Sequence, residues 1–262
     1  MTDHGLVNDA IRQKMKQLPV IGPVLRRVHR VARSRFPMLF DRGASWSRGE
    51  SRTHLCLGVE YVYSAEVEGD IAEFGTMSGE TAVTIAVAMR ECDRLLLRRP
   101  KRLYLFDSFE GLPAIASMAD RESIHVKSGV WTAGGCKMLA KDELIGRLCR
   151  KISPERLVVY DGWYKDTVLT LPSGTRFAML HVDCDLYQST MDALEPLFSK
   201  GHLAEGALIL FDDWYCNRAS PSYGEQRAWS ELVGRFSIAF SDVGSYGWGG
   251  RKFIVHAYQA RR

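Results

Sequence analysis

The sequence predicts a doubly wound α/β fold built on a mostly parallel seven-stranded sheet, preceded by a helical arm. Three observations lead there. From residue 70 onward, short apolar runs alternate with segments of helical periodicity, the pattern of strand-helix-strand units with right-handed crossovers. Several of these runs stop at an acidic residue, as at Asp107, Asp161, Asp183 and Asp212. Near the end, two further strand-like runs flank the glycine-rich segment Gly244–Gly250, which suggests an antiparallel hairpin closing the sheet.

The elements follow in order. Residues 1–52 read as short helices broken at Pro19, Gly22-Pro23 and Pro37, and Thr53–Glu66 continues with a helical pattern that turns Leu55, Val59 and Val62 inward. Asp70–Phe74 is a short strand, followed by a glycine-bearing turn and a helix over Glu80–Arg90. Leu103–Phe106 is a strand ending at Asp107. Ser108–Gly135 reads as a long loop, of the length that often serves as a lid. Lys141–Lys151 is helical, and Leu157–Tyr160 is a strand ending at Asp161. Phe177–Val182 and Ala207–Phe211 are buried strands joined by the helix Ser189–Lys200. A helix over Glu225–Arg235 precedes the closing hairpin, with strands around Phe236–Phe240 and Arg251–Tyr258. Two regions result: a basic arm, 1–52, and a Rossmann-like domain, 53–262.

Composition narrows the class. At 262 residues, 46% hydrophobic and 25% charged, the chain can bury one large core and is neither disordered nor fibrous. No apolar run reaches the length of a membrane span, and Met1–Gln17 has no apolar core of a secretory signal, so a cytoplasmic protein is expected. Six cysteines, at 56, 92, 136, 149, 184 and 216, form no CxxC pair and are expected to be reduced core thiols. Charge is uneven. Residues 1–52 hold eleven Lys/Arg and four acids, a net of +7; the whole chain is +4, which leaves −3 for the remainder. The arm has no dense basic block with interleaved aromatics, so no nucleic-acid partner is expected. Its many apolar residues suit packing on the body or on a second subunit of a homo-oligomer.

Two acidic pairs carry the chemistry. Asp183-Cys184-Asp185 and Asp212-Asp213 each follow a buried strand, about one strand-helix-strand unit apart. Ligands of open α/β sheets bind at the carboxyl ends of strands. Four carboxylates gathered there are costly unless a cation neutralises them, and hard oxygen donors suit Mg²⁺, Mn²⁺ or Ca²⁺. The turn Glu73–Thr81 is neither GxGxxG nor a phosphate-binding P-loop. Glu73 could accept from an ammonium group, the helix N-terminus could hold a carboxylate, and Asp107 could hold ribose hydroxyls, which together would match S-adenosylmethionine. Taken alone, the turn is equally a place where glycine permits close packing.

The segments Ile71–Gly75, Leu103–Pro113 (LYLFDSFEGLP), Gly162–Thr167 (GWYKDT), His181–Thr190 (HVDCDLYQST) and Asp212-Asp213-Trp214 together resemble the macrocin O-methyltransferase (TylF-like) family. The resemblance covers roughly residues 54–258. It implies the class I S-adenosylmethionine methyltransferase fold, S-adenosylmethionine and Mg²⁺ as cofactors, and methylation of a sugar hydroxyl on a natural-product glycoside, as in antibiotic tailoring. It implies that Asp183, Asp212 and Asp213 hold the metal and that Asp185 is the general base. For the cofactor it implies Glu73, Gly75, Ser78 and Thr81 at the methionine end, Asp107 and Ser108 at the ribose, and Asp161 with Trp163 near the adenine, although Asp161 departs from the residue usual in the family. His181 is expected to be a hydrogen-bonded core histidine. Asp185, four residues before Ser189, could instead cap the following helix. Trp131, His125 and Tyr223 could line the acceptor pocket. The alternatives are a DxD glycosyltransferase, which leaves Asp212-Asp213 and FDSFEGLP without a role, and a cofactor-binding hydroxylase partner without chemistry of its own.

Overall fold

The computed structural model describes residues 44–96 and 98–260. The breaks expected at Pro19, Gly22-Pro23 and Pro37 lie outside them. Helix α1 runs Ala44–Ser64, so the helix expected to start at Thr53 begins earlier and passes through the residue 52/53 boundary. Strand β1 (Asp70–Phe74) leads into α2 (Glu80–Leu96), and β2 (Leu103–Asp107) leads into the long connection. That connection contains two single-turn helices, α3 (Met118–Arg121) and α4 (Ile124–Lys127), before α5 (Lys141–Leu148). Then come β3 (Leu157–Asp161), α6 (Tyr164–Thr167), β4 (Phe177–Val182), α7 (Tyr187–Ser199), β5 (Leu203–Phe211), α8 (Gly224–Phe236), β6 (Ala239–Tyr246) and β7 (Gly250–Ala257).

The seven strands form one sheet in the order β3-β2-β1-β4-β5-β7-β6. The first five are parallel, β7 is antiparallel to β5, and β6 is antiparallel to β7. Chain order reverses between β1 and β4, so a crevice opens beside their carboxyl ends. Strand alternation divides the core in two. Ile71, Leu105, Met179 and Leu210 point to one face, against Val59 of α1 and Ile85 and Met89 of α2. Phe74, Phe106, Leu180 and Phe211 point to the other, against Leu194 and Phe198 of α7 and Trp229 of α8. On that face Phe74, Phe106 and Tyr160 stack across three neighbouring strands at 4.6 and 4.7 Å.

Two expectations are corrected here. Phe236–Ile238 is the end of α8 and the turn after it, and β6 takes in Gly244–Tyr246, leaving Gly247–Gly249 as the hairpin turn. The cysteines are all free, but only Cys92, Cys184 and Cys216 are buried. Among the described residues no helix is long and apolar enough to cross a membrane.

Candidate active site

The carboxyl ends of the parallel strands are held in line by hydrogen bonds that extend the ladders one residue past each strand. Gly75 N–H donates to Phe106 C=O, Gly162 to Asp107, Asp183 to Phe74 and Asp212 to Val182, at 2.9–3.0 Å. A cavity of about 750 Å³ opens above this row. Gly75, Asp107, Ser108, Trp163, Asp183, Asp185, Asp212 and Asp213 all line it. Glu73, Ser78, Thr81 and Asp161 do not.

Each position has a local reason. Gly75 has φ 87, and a Cβ there would lie 2.1 Å from the Asp183 carbonyl oxygen. Glycine is therefore required for β1 and β4 to end side by side. Asp107 accepts from Thr76 N–H and Thr76 Oγ1 at 2.7 Å each and from Phe109 N–H at 2.7 Å, which fixes its carboxylate at the cavity edge with further lone pairs available. Ser108 Oγ accepts from Glu110 N–H and donates to Gly111 C=O, so it shapes the FDSFEG turn. Ser78 Oγ accepts from Glu80 N–H at the start of α2, and Asp161 pairs with Lys141 at 2.9 Å on the surface.

The strand-end acids form two adjoining clusters. His181 and Asp212 share the face of Glu73. There Glu73 is fully buried, its Oε1 is 3.0 Å from His181 Nδ1, and His181 Nε2 is 3.9 Å from Asp212 Oδ1, an ion-pair contact beyond hydrogen-bond reach. Burial pushes the His181 imidazole toward neutrality, but Asp212 and Glu73 outweigh it and raise its pKa to about 10. In return, although burial opposes ionisation of Asp212, His181 holds its carboxyl below the ordinary value.

Asp183, Asp185 and Asp213 gather instead: one carboxylate oxygen from each lies within 4.8 Å of the others. Asp185 reaches this position because the chain turns sharply at it. Leu186 N–H donates to Cys184 C=O at 2.5 Å, a γ-turn centred on Asp185, whose φ is 57. Such a turn is strained for a residue with a side chain. Burial first, and then the charges of the neighbouring aspartates, push the Asp183 and Asp185 carboxyls well above the ordinary range. Asp213 Oδ1 accepts from the Cys216 thiol at 3.1 Å, whereas its Oδ2 is buried with no partner. Buried, mutually repelling oxygens with an orphaned atom among them fit a hard divalent cation.

Asp185 does not cap α7. The free N–H groups of Tyr187 and Gln188 are taken by Asp120, at 2.8 and 3.1 Å, from 67 and 68 residues away. Asp120 is 2% exposed and also accepts from Ser117 Oγ. It therefore pins the long connection over the cavity. Leu112, Trp131, Leu186 and Cys216 form a small core beneath it, and His125 clasps Asn217 by accepting its N–H at Nδ1 and donating its own backbone N–H to Asn217 Oδ1, both at 2.9 Å. Trp131, His125 and Tyr223 hold structure and do not line the cavity. Asp120, Lys165, Asp192 and the buried Glu225 were not singled out by the sequence; only their acidic or basic character marked them, which surface residues share.

Comparison with known proteins agrees with this architecture. A sequence model of the macrocin-O-methyltransferase (TylF) family matches residues 48–233. A tetracenomycin-C rhamnosyl 4'-O-methyltransferase of Streptomyces olivaceus is 30% identical over 185 residues, 69% of this chain and 64% of that protein. A demethyldecarbamoylnovobiocin O-methyltransferase of Streptomyces niveus is 29% identical over 177 residues, 65% of this chain and 62% of that protein. The match thus spans somewhat less than two thirds of each relative's length. Among solved structures, the O-methyltransferase NovP superposes with TM-score 0.61 at 24% identity over 80% of this chain and 79% of its own. The calicheamicin methyltransferase CalS11 gives 0.63 at 20% over 97% and 94%. The fold is that of the class I S-adenosylmethionine methyltransferases, and with 48–233 matched the chain belongs to the macrocin-O-methyltransferase (TylF) family.

Proposed function

We propose that this protein transfers a methyl group from S-adenosylmethionine to a sugar hydroxyl of a natural-product glycoside, with the help of a divalent cation such as Mg²⁺. The observation that carries the reading is the meeting, in one cavity, of the Gly75–Asp107 edge and the Asp183, Asp185 and Asp213 carboxylates. When bound, S-adenosylmethionine supplies the methyl group and the cation lowers the pKa of the acceptor hydroxyl.

The protein's own residues do the rest. Asp107 and Ser108 receive the ribose, Trp163 lies toward the adenine, and Gly75 leaves room at the methionine end. Asp183 and Asp213 hold the cation. Asp212 completes the set in the arrangement the family resemblance implies, leaving Asp185 to take the hydroxyl proton at its carboxylate. The connection pinned by Asp120 shields the reacting groups from water, and positioning two substrates together supplies much of the acceleration.

The wall also suits the charge of the proposed cofactors. Lys165 is the sole cation among the described residues lining the cavity, against seven aspartates: the four at the strand ends plus Asp107, Asp120 and Asp192. An acidic wall of this kind suits a divalent cation and the positively charged sulfonium of S-adenosylmethionine. The proposal includes a homo-oligomer, supported by the apolar content of residues 1–52.

Calorimetric titration tests the reading. S-adenosylmethionine is expected to bind without metal, since its contacts lie on other strands than the cation's, and UDP-glucose is expected not to bind. Binding of the nucleotide sugar without binding of S-adenosylmethionine would overturn it.

A further inference from the structure

Glu225 has no part in the roles above. It lies in the first turn of α8, is 1% exposed, and stands among acids. Burial first, then the charges of Asp213, Asp183 and Asp212, push its carboxyl well above the ordinary range. A buried carboxyl facing other carboxylates is a costly way to fill space.

What it does geometrically is specific. Glu225 Oε2 accepts the backbone N–H of Asp213 at 3.0 Å, while Oε1 is buried without a partner. Between these two residues the chain makes an unusual excursion. Asn217, Arg218 and Ala219 have φ of 55, 59 and 56, and Gly224 has φ 55. Consecutive left-handed residues are unfavourable for side chains such as alanine. The Glu225–Asp213 bond ties the two ends of this strained segment. The start of α8 also touches the other acidic loop: a Cβ on Gly224 would lie 3.6 Å from the Asp185 carbonyl oxygen.

We propose that Glu225 is a positioning residue: by holding the Asp213 amide it directs the Asp213 carboxylate toward Asp183 and Asp185, and so sets the affinity of this site for a divalent cation. The inference rests on the cation reading above. It separates a hydrogen-bonding role from a ligand role, because a ligand needs the charge and an amide acceptor does not.

The test uses Mn²⁺ as the probe, with its Kd measured on the full chain by calorimetry and by the electron paramagnetic resonance of the free ion. Glu225→Gln keeps an acceptor and loses the charge; its Mn²⁺ Kd is expected to stay within about threefold of the parent. Glu225→Met keeps the length and loses the acceptor; removal of a partner that orients a ligand typically weakens metal affinity by about 10–100-fold, and that loss is expected here. S-adenosylmethionine affinity is expected to be unchanged in both. If the Met variant does not fold, Glu225→Ala asks the same question with room for water. A variant without the acceptor that binds Mn²⁺ like the parent would reduce Glu225 to packing and overturn the proposal. An equal loss in the Gln variant would show that the charge acts directly and would also overturn it. Parent protein that binds no Mn²⁺ would instead remove the cation reading itself.

Discussion

The two ends of the sheet bury charge in opposite ways. At the amino ends, Lys101 is 9% exposed and its ammonium donates to the carbonyls of Val67 and Gly69 at 2.6 and 2.7 Å. Beside it, Arg156 pairs with Asp93, donates to the Tyr63 hydroxyl and donates to the Lys101 carbonyl. At the carboxyl ends, Asp183, Asp185, Asp213 and Glu225 face one another, and Asp213 Oδ2 and Glu225 Oε1 are buried without partners. The first network is completed by the fold. The second is left incomplete by the protein's own groups. Buried charge that a fold leaves unsatisfied marks the functional end more surely than buried charge as such.

The sharpest way to probe that difference is Asp185→Asn. The side chain keeps its shape but cannot take a proton, so kcat is expected to fall by roughly 10²–10⁴-fold with both ligands still bound. If Asp185 completes the cation set, as its place beside Asp183 and Asp213 allows, the Mg²⁺ activation constant rises instead and excess Mg²⁺ restores the rate. Measuring both constants for this variant and for Asp212→Asn assigns the third ligand.

The next test sets one end against the other. Lys101→Met leaves the buried Val67 carbonyl and the half-buried Gly69 carbonyl without the ammonium, and urea unfolding is expected to show a loss of about 1–3 kcal/mol. Asp213→Asn, at the opposite end, relieves repulsion, and the metal-free protein is expected to keep or gain stability while losing Mn²⁺ affinity. Similar losses at both ends would break the comparison.

The smallest effect is in the pH dependence of the metal-free protein. The Asp183, Asp185 and Glu225 carboxyls are raised in the fold, so the folded chain holds more protons than the unfolded one above the ordinary carboxylate range, and stability falls as pH rises. His181 acts in the same direction: its contribution is full below about 6.5, the ordinary histidine value, and is lost as pH passes its raised value of about 10. The lowered Asp212 opposes them only in the acid range. Each kcal/mol corresponds to roughly 2–4 °C for a domain of this size. Tm is therefore expected to fall by a few degrees from about pH 6 to about pH 9, and by less with saturating Mg²⁺. A Tm that climbs over that interval would contradict the electrostatics.

Much of the scaffold was legible from residues alone, for physical reasons. β1 and β4 occupy the expected spans because each is an apolar run stopped by a turn or an acid. β5 starts at Leu203 rather than Ala207 because Glu205-Gly206 interrupts the apolar pattern, and Gly206 at φ 80 accompanies a register shift against β4. β6 is an edge strand with mostly exposed residues, so it carries no alternation to read. The single-turn helices α3 and α4, started by Ser117 and Ser123, are too short to show a period. At the site, the four strand-end aspartates were visible as pairs. Their grouping was not: it depends on the contact of His181 with Asp212 and on the γ-turn bringing Asp185 to Asp213. Asp120 and Glu225 stayed hidden because their partners are backbone amides distant in sequence, 67 and 12 residues away.

Asp120 has a consequence for how such a scaffold can diversify. One carboxylate serves both the covering segment and the first turn of α7, which follows directly on Asp183–Asp185. The cover is therefore not an interchangeable module. Grafting the whole of 112–135 from a relative without an acid at this point would expose two amides and loosen the turn that carries Asp185. Change is safest at Ala114 and Ala116, which line the cavity ahead of the anchor. New acceptor preferences in this lineage should accumulate there, by small substitutions rather than by loop exchange.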